Sequence, residues 1–295
     1  MRAAVLGSPV SHSLSPVLHT AAYEALGLAD WTYTAIDCEE RELPAFLGGL
    51  DDTWAGVSLT MPLKRAVLPL LDTVSPRAAA VGAVNTVVRR DGRLHGENTD
   101  VHGIRAALAE AGVTTASTAV VLGGGATACS ALAALAELGA RRPTVLVRDP
   151  ARTTALRATA DRLGVTPTVA PLTQAAHHLP GAPLVLTTLP PGAADDHAPL
   201  LGPGVLFDVV YTPWPTRAAH AAAAAGARVA SGLSMLLHQA VGQVALMTGH
   251  PDVPVPAMRT ALTRAANTAA AFPSRPYREP DVLRLDEPAA KASLE

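Results

Sequence analysis

An α/β fold in two domains, with mostly parallel sheets, is what the sequence predicts, and three observations carry it. The chain has 295 residues, more than one hydrophobic core usually organises. Short apolar runs alternate with helix-spaced apolar patterns in a strand–helix rhythm, the signature of parallel sheets with crossover helices. A glycine turn, Gly123-Gly-Gly-Ala-Thr-Ala128, joins a strand-like run to a long apolar helix-like one.

Residues 3–6 read as a short strand. Ser15 and Pro16 follow as an N-cap and first helical residue; apolar Val17, Leu18, Ala21, Ala22, Ala25 and Leu26 recur at helical spacing until Gly27 stops them. Strands are predicted at 31–36, 56–59 and 84–88, the last turned back by Asp91-Gly92 toward Leu94 and His95. Thr99 and Asp100 open a helix to about residue 111, which Gly112 ends. A second unit begins with a strand at 118–122, the glycine turn, a helix to Leu138 and a strand at 144–147. Further strands at 184–189, 205–210 and 228–230 extend its sheet, and a long helix covers 234–248. The Leu189-Pro-Pro-Gly192 segment is a loop near the carboxyl ends of the strands, where open α/β sheets bind ligands.

Composition narrows the class. Apolar residues make up 49% of the chain and charged ones 16%, ample material for two cores. Net charge is -2, and no Lys/Arg run forms a stripe suited to a phosphate backbone, which argues against nucleic acid and anionic membrane. No apolar stretch approaches the ~18 residues of a membrane span; even the alanine run at 218–227 is broken by His220 and Gly226. The four apolar residues 3–6 are too few for a signal peptide, so a cytoplasmic location is expected. Cys38 and Cys129 stand alone, as small core residues do in a reducing compartment. His177-His178 and Asp195-Asp196-His197 lie in predicted loops without the ligand spacing of a closed zinc site, so no metal is expected.

Two features carry chemistry. The turn fits G-x-G-x-x-G/A through Gly123, Gly125 and Ala128, with a strand before it and a helix after it. Glycines there let backbone N–H groups approach a pyrophosphate seated on the helix N-terminus, with Ala126 the first residue past them. After the next strand come Arg148, Asp149 and Arg152. Two guanidiniums on one short loop suit the 2'-phosphate of NADP, whereas Asp149 either bridges those arginines or accepts from a ribose hydroxyl, as in an NAD site. The second feature is lysine scarcity. Of 23 Lys plus Arg only Lys64 and Lys291 are lysine, and Lys64 ends the ordered run Gly56-Val-Ser-Leu-Thr60-Met-Pro62-Leu-Lys64. An ammonium can give up a proton in a suitable site, and a guanidinium cannot, so lysine at 64 points to proton transfer.

Gly7-Ser-Pro-Val-Ser-His12-Ser13-Leu-Ser15-Pro16-Val-Leu-His19 closely resembles the opening motif of shikimate dehydrogenases. The run ending in Lys64, then Gly82-Ala-Val-Asn85-Thr86, Gly96-Glu-Asn98-Thr99-Asp100-Val-His-Gly103, Asp208-Val-Val-Tyr211-Thr-Pro213 and Gly232-Leu-Ser-Met-Leu-Leu-His-Gln239-Ala240 follow in family order. The resemblance spans roughly residues 3 to 250. It implies reversible, NADPH-dependent reduction of 3-dehydroshikimate to shikimate in the chorismate route to aromatic amino acids. Ser13 and Ser15 match the family's carboxylate binders, and Thr60, Asn85 and Gln239 match ligands of the ring hydroxyls. Lys64 and Asp100 match the catalytic pair, Tyr211 matches a position near substrate and nicotinamide, and Gly232 falls in a motif at the cofactor cleft.

Some positions depart from the family. Ser58 and Thr20 replace common asparagines, and Val147 and Asp149 replace part of the usual Asn-Arg-Thr at the 2'-phosphate, leaving Arg148 and Arg152 to read it. An NAD-preferring quinate/shikimate dehydrogenase is the second reading, although the Ser13/Ser15 pair favours shikimate. A non-catalytic NADP-binding sensor is a third, opposed by retention of Lys64 and Asp100. The implied architecture is discontinuous: residues 1–101 plus 234–272 form an α/β substrate domain, 102–233 a Rossmann-type dinucleotide domain, and 273–295 a Pro- and charge-rich disordered tail. A hinged cleft, a small-molecule substrate and a monomeric or homodimeric enzyme follow as expectations.

Overall fold

The computed structural model describes residues 1–271. Six strands form the first sheet: β1 (Arg2–Gly7), β2 (Thr32–Asp37), β3 (Trp54–Leu59), β4 (Thr73–Val74), β5 (Thr86–Arg90) and β6 (Arg93–Glu97), in the order β2-β1-β3-β5-β6-β4. The strand β1 pairs parallel with both β2 and β3, and every residue of β3 is buried, because helices cover both faces at the sheet centre. The hairpin of β5 and β6 runs antiparallel beside β3. Its turn is the expected Asp91-Gly92, both residues with positive φ (51° and 74°), which matches the right-handed twist of the flanking strands.

The second sheet holds β7 (Val120–Leu122), β8 (Thr144–Val147), β9 (Thr168–Pro171), β10 (Leu184–Thr187), β11 (Val205–Asp208) and β12 (Arg228–Ser231). All its pairings are parallel, in the order β12-β11-β10-β7-β8-β9. Chain progression reverses between β7 and β10, so the connections leaving these strands diverge and open a crevice at their carboxyl ends. The glycine turn follows β7 and the Leu189–Gly192 loop follows β10, so both border it.

On the first sheet lie α1 (Ser15–Ala25), α2 (Leu43–Gly48), α3 (Leu63–Ala66) and α4 (Pro76–Val81); α5 (Asp100–Glu110) leads into the second, which carries α6 (Ala126–Leu138), α7 (Thr154–Leu163), α8 (Ala175–His178) and α9 (Arg217–Ala224). The chain then returns: α10 (Gly232–Thr248) packs on α5 and α1, and α11 (Val255–Ala271) on α1. Leu18 and Ala22 of α1, Leu237, Ala240 and Val244 of α10, and Met258 and Leu262 of α11 share one apolar cluster that secures this return. Contact between α5 and α10 is close because Gly103 lacks a side chain; a Cβ there would lie 2.7 Å from the Met235 carbonyl oxygen.

Several boundaries shift from the sequence expectation. The strands predicted to reach 189 and 210 end at Thr187 and Asp208, and the helix expected from 234 begins at Gly232. His177-His178 close α8, and Asp195, Asp196 and His197 sit in a 3₁₀ helix rather than in loops. The expected tail at 273–295 lies outside the described residues.

Candidate active site

A cavity of about 230 Å³ opens where the carboxyl ends of β1 and β3 meet the heads of α1 and α10. Ser13 and Ser15 line it from the segment entering α1. Ser15 is not the N-cap: Leu14 occupies that position, and Ser15 is the first helical residue. Ser13 Oγ accepts from the Ser15 backbone N–H (3.3 Å), and both serines line the cavity. Two hydroxyls at the positive end of an 11-residue helix suit a carboxylate.

After β3 the chain turns sharply, with Thr60 N–H donating to the Leu6 carbonyl (2.9 Å) and Leu63 N–H to the Thr60 carbonyl (2.8 Å). Leu63 is fully buried and anchors α3, so Leu63→Ala costs about 2–5 kcal/mol. The Lys64 carbonyl accepts from Val84 N–H (2.8 Å), which fixes the lysine backbone. From there Lys64 Nζ donates to Asp100 Oδ2 at 2.6 Å, with the two side chains only 14% and 3% exposed. Asp100 is the first residue of α5, where the helix dipole favours a carboxylate. Lys64, Asp100 and Thr60 all line the cavity.

Asn85 does not line it. Its Nδ2 donates to Asp100 Oδ1 (2.8 Å), Thr99 Oγ1 (2.9 Å) and Gln239 Oε1 (3.3 Å), and its Oδ1 accepts from Thr99 N–H (2.8 Å). The amide is thus engaged within the protein, capping α5 and holding Asp100, with Thr99 making no side-chain cap of its own. Gln239 lines the cavity, and its Nε2 donates to the Leu236 carbonyl (3.0 Å). Tyr211 lines it too, and burial pushes its phenol above the usual range. The loop bearing Tyr211 is tied down by Asp208, which accepts from Val210 N–H (3.1 Å) and Thr216 Oγ1 (2.6 Å); burial raises the Asp208 carboxyl in spite of those bonds.

Sequence reasoning missed further lining residues, among them Met235, Leu236 and Gln243 of α10. Their spacing from Gly232 and Gln239 places them on one helical face, which was the signal available. Ser58, noted only as a departure, also lines the cavity and accepts from the buried Tyr33 hydroxyl at 2.7 Å.

The crevice of the second sheet carries the other residues singled out. Gly123 has φ +113°, and a Cβ there would lie 2.4 Å from Thr188 Oγ1, so the tight turn requires glycine. Gly125 is the N-cap of α6 in extended conformation, no side chain caps the helix, and a Cβ on it would meet nothing within 4 Å. Open space thus stands before Ala126 and the first N–H groups of a 13-residue helix. Arg148 follows β8 and is exposed, as are Asp149 and Arg152. Asp149 does not bridge the two arginines: its Oδ1 accepts from Ala151 N–H (2.9 Å) and caps the 3₁₀ turn Pro150–Arg152, a local bond that wins over a longer, solvated ion pair. Both guanidiniums remain available to a phosphate, and these groups together fit an anionic dinucleotide. Gly232 lines the first cavity at the head of α10, where a Cβ would lie 1.9 Å from the Val209 carbonyl oxygen. It therefore brings α10 against the second sheet.

Among the described residues, no group of three or more His, Cys, Asp or Glu is placed to hold a metal ion, and no helix is long and apolar enough to cross a membrane.

Comparison with known proteins places the chain. The family described as shikimate dehydrogenase substrate binding domain matches residues 5–87, and the shikimate 5'-dehydrogenase C-terminal domain matches 232–263. A shikimate dehydrogenase (NADP(+)) from Moorella thermoacetica is 38% identical over 283 residues, covering 92% of this chain and 95% of its own length. The crystal structure of Mycobacterium tuberculosis shikimate dehydrogenase is similar at a TM-score of 0.82 and 44% identity, covering 89% of this chain and 99% of that one. A Thermus thermophilus shikimate 5-dehydrogenase in complex with NADP(H) and shikimate is similar at 0.78 and 38% identity, covering 90% and 99%.

Proposed function

Because this chain belongs to the shikimate dehydrogenase family, we propose that it catalyses the reversible, NADPH-dependent reduction of 3-dehydroshikimate to shikimate. The observation that carries the reading is the Lys64–Asp100 pair, 2.6 Å apart on the wall of a cavity that also presents Ser13 and Ser15. When bound, NADPH supplies the hydride to the substrate carbonyl carbon. Lys64 uses one N–H on Asp100 and directs another at the carbonyl oxygen, which it protonates as the alcohol forms. Asp100 keeps the ammonium in line, and in shikimate oxidation Lys64 takes the proton back.

Ser13 and Ser15 hold the ring carboxylate, Thr60 and Gln239 take ring hydroxyls, and Asn85 acts by holding Asp100 and Gln239. Tyr211 closes the cavity wall near the nicotinamide. Gly123, Gly125 and Ala126 admit the pyrophosphate to the head of α6, and Arg148 and Arg152 read the 2'-phosphate. In this reading residues 1–101 with 234–272 bind substrate and 102–233 bind the dinucleotide, and the enzyme works as a monomer or homodimer. Two free, buried cysteines suit a reducing, cytoplasmic setting.

The test is the initial rate of reduced-cofactor formation from shikimate, with NADP and NAD in parallel and Lys64→Ala as control. Turnover with NADP that collapses in the variant is expected. Turnover with neither cofactor would remove the assignment.

A further inference from the structure

A line of buried side chains runs from the core of the first sheet to Asp100, and the hydrogen-bond direction of each link is dictated by its neighbours. The Asn85 backbone carbonyl can only accept, so the Gln243 atom facing it at 3.3 Å is Nε2, which also reaches Thr86 Oγ1 at 3.3 Å. Gln243 Oε1 therefore faces His19 Nε2, 3.3 Å away, and that ring nitrogen must carry hydrogen. His19 is fully buried, and burial lowers its pKa to about 3 against the opposing bond from Gln243. The ring is accordingly neutral, Nδ1 is bare, and it accepts from the Tyr23 hydroxyl at 3.4 Å. At the far end the Asp100 carboxylate accepts from Asn85 Nδ2, and the Thr99 backbone N–H fixes Asn85 Oδ1 on the opposite side. Thr86 must then give its one hydroxyl hydrogen to Asn85 Oδ1 (2.9 Å).

Every donor thus points the same way: Tyr23 to His19, His19 to Gln243, Gln243 to Thr86, Thr86 to Asn85, Asn85 to Asp100. All six residues are at most 2% exposed, and only Gln243 and Asp100 reach the cavity wall, so the links between them lie in the protein interior. Aligned dipoles in a low-dielectric interior polarise one another and place their positive ends toward the terminal acceptor. Stacking of the His19 ring on Tyr33, at 3.8 Å between centroids, holds the imidazole plane that the chain requires.

We infer that His19, Gln243 and Thr86 are positioning residues for the reaction, acting through Asn85 to aim the Asp100 carboxylate at Lys64. The inference rests on the proposed role of the Lys64–Asp100 pair, and it goes beyond that role by assigning a function to a buried histidine that does not line the cavity. A reversed His19 tautomer would leave Gln243 Oε1 facing a bare nitrogen, break the chain at that link and remove the polarisation that reaches Asn85 and Asp100.

Two measurements test it. Long-range ¹H–¹⁵N correlation spectra of the wild-type protein, with His19 assigned by comparison with His19→Gln, should show hydrogen on Nε2 and a bare Nδ1. An Nδ1–H tautomer overturns the inference whatever the kinetics show. Thr86→Val keeps the shape of the side chain and removes the hydroxyl link; it should lower kcat between about tenfold and 100-fold while KM for shikimate moves by less than about threefold, and Thr86→Ser should restore kcat. A folded Thr86→Val enzyme with wild-type kcat, or one whose KM absorbs the loss, also overturns it. Absence of shikimate turnover in the wild type would instead count against the proposed function and would leave the tautomer result standing.

Discussion

Lys64 Nζ and Asp100 Oδ2 are 2.6 Å apart, brought together by a turn after β3 and by the first residue of α5, 36 positions later in the chain. The pair is almost shielded from water, so its geometry is held more firmly than that of a surface ion pair. Lys64→Arg keeps the charge but removes a group able to give a proton. The expected result is a kcat lower by about 10²–10⁴-fold with a much smaller change in KM for shikimate, read by steady-state kinetics. Comparable kcat in both proteins would sink the proton-transfer role. Lys64→Met leaves Asp100 buried without its cation and should cost about 3–5 kcal/mol in a denaturant titration.

Cofactor choice turns on Arg148 and Arg152, because Asp149 is occupied with the Ala151 N–H. Arg148→Gln removes a charge-assisted contact worth about 1.5–3 kcal/mol, so NADP affinity in calorimetric titration should fall by about 10–150-fold while NAD affinity stays put. Asp149→Ala should leave the NADP-to-NAD ratio unchanged and lower stability by about 0.5–1 kcal/mol through loss of its cap. A swing toward NADP in Asp149→Ala would show that the carboxylate does face the ribose.

Stability should fall on acidification in two windows. His19 has a folded pKa lowered from 6.5 to about 3 by burial, so below about pH 6.5 the unfolded chain gains a proton that the folded one refuses. A fully buried group of this kind steepens the loss by up to about 1.4 kcal/mol per pH unit. Glu110 adds the second window. Burial works to raise its carboxyl, but hydrogen bonds from Ser234, His238 and Arg259 prevail and hold it at about 2 against an ordinary 4.5. Stability from Glu110 is full above about pH 4.5 and is lost as pH falls toward 2. Melting temperature against pH should show the first slope flattened in His19→Gln and the second in Glu110→Gln. Unchanged slopes in both variants would assign the acid sensitivity to other groups.

Much of the fold was legible because its long elements carry strong periodicity and its turns use residues with specific backbone needs. Gly123 and the Asp91-Gly92 pair mark turns through positive φ, and the apolar faces of α1 and α10 mark the helices that meet at the cavity. Short pieces were not legible. The four-residue α3 and two-residue β4 have too few positions to show a period, yet α3 presents Lys64. The helix starts one residue before the expected N-cap at Ser15, because the first helical bond runs from Leu18 N–H to the Leu14 carbonyl (3.3 Å), which makes Leu14 the N-cap. The role of Asn85 was hidden for another reason: a polar side chain in an apolar run announces a partner, but its identity, here Asp100 fifteen residues on, depends on how β5 and α5 meet in space.

Gly123 and Gly125 lie two residues apart and separate the demands of the fold from those of the cofactor. Gly123 has φ +113° and would place a Cβ 2.4 Å from Thr188 Oγ1, so Gly123→Ala strains the turn and displaces the loop after β10. Its melting temperature should drop, and cofactor affinity should fall with it. Gly125 has φ -79° and open space where a Cβ would go, so Gly125→Ala leaves the unliganded fold intact: the gain of about 0.4–1 kcal/mol from restricting the unfolded chain is offset by alanine being the poorer N-cap. If the pyrophosphate approaches the head of α6 through that space, the added methyl group blocks it. Gly125→Ala should therefore keep a near-wild-type melting temperature without cofactor while losing affinity for NADP and NAD alike, because both share the pyrophosphate. Full retention of NADP binding in a folded Gly125→Ala protein would move the pyrophosphate away from this helix and leave Arg148 and Arg152 without the neighbour that makes them a 2'-phosphate site.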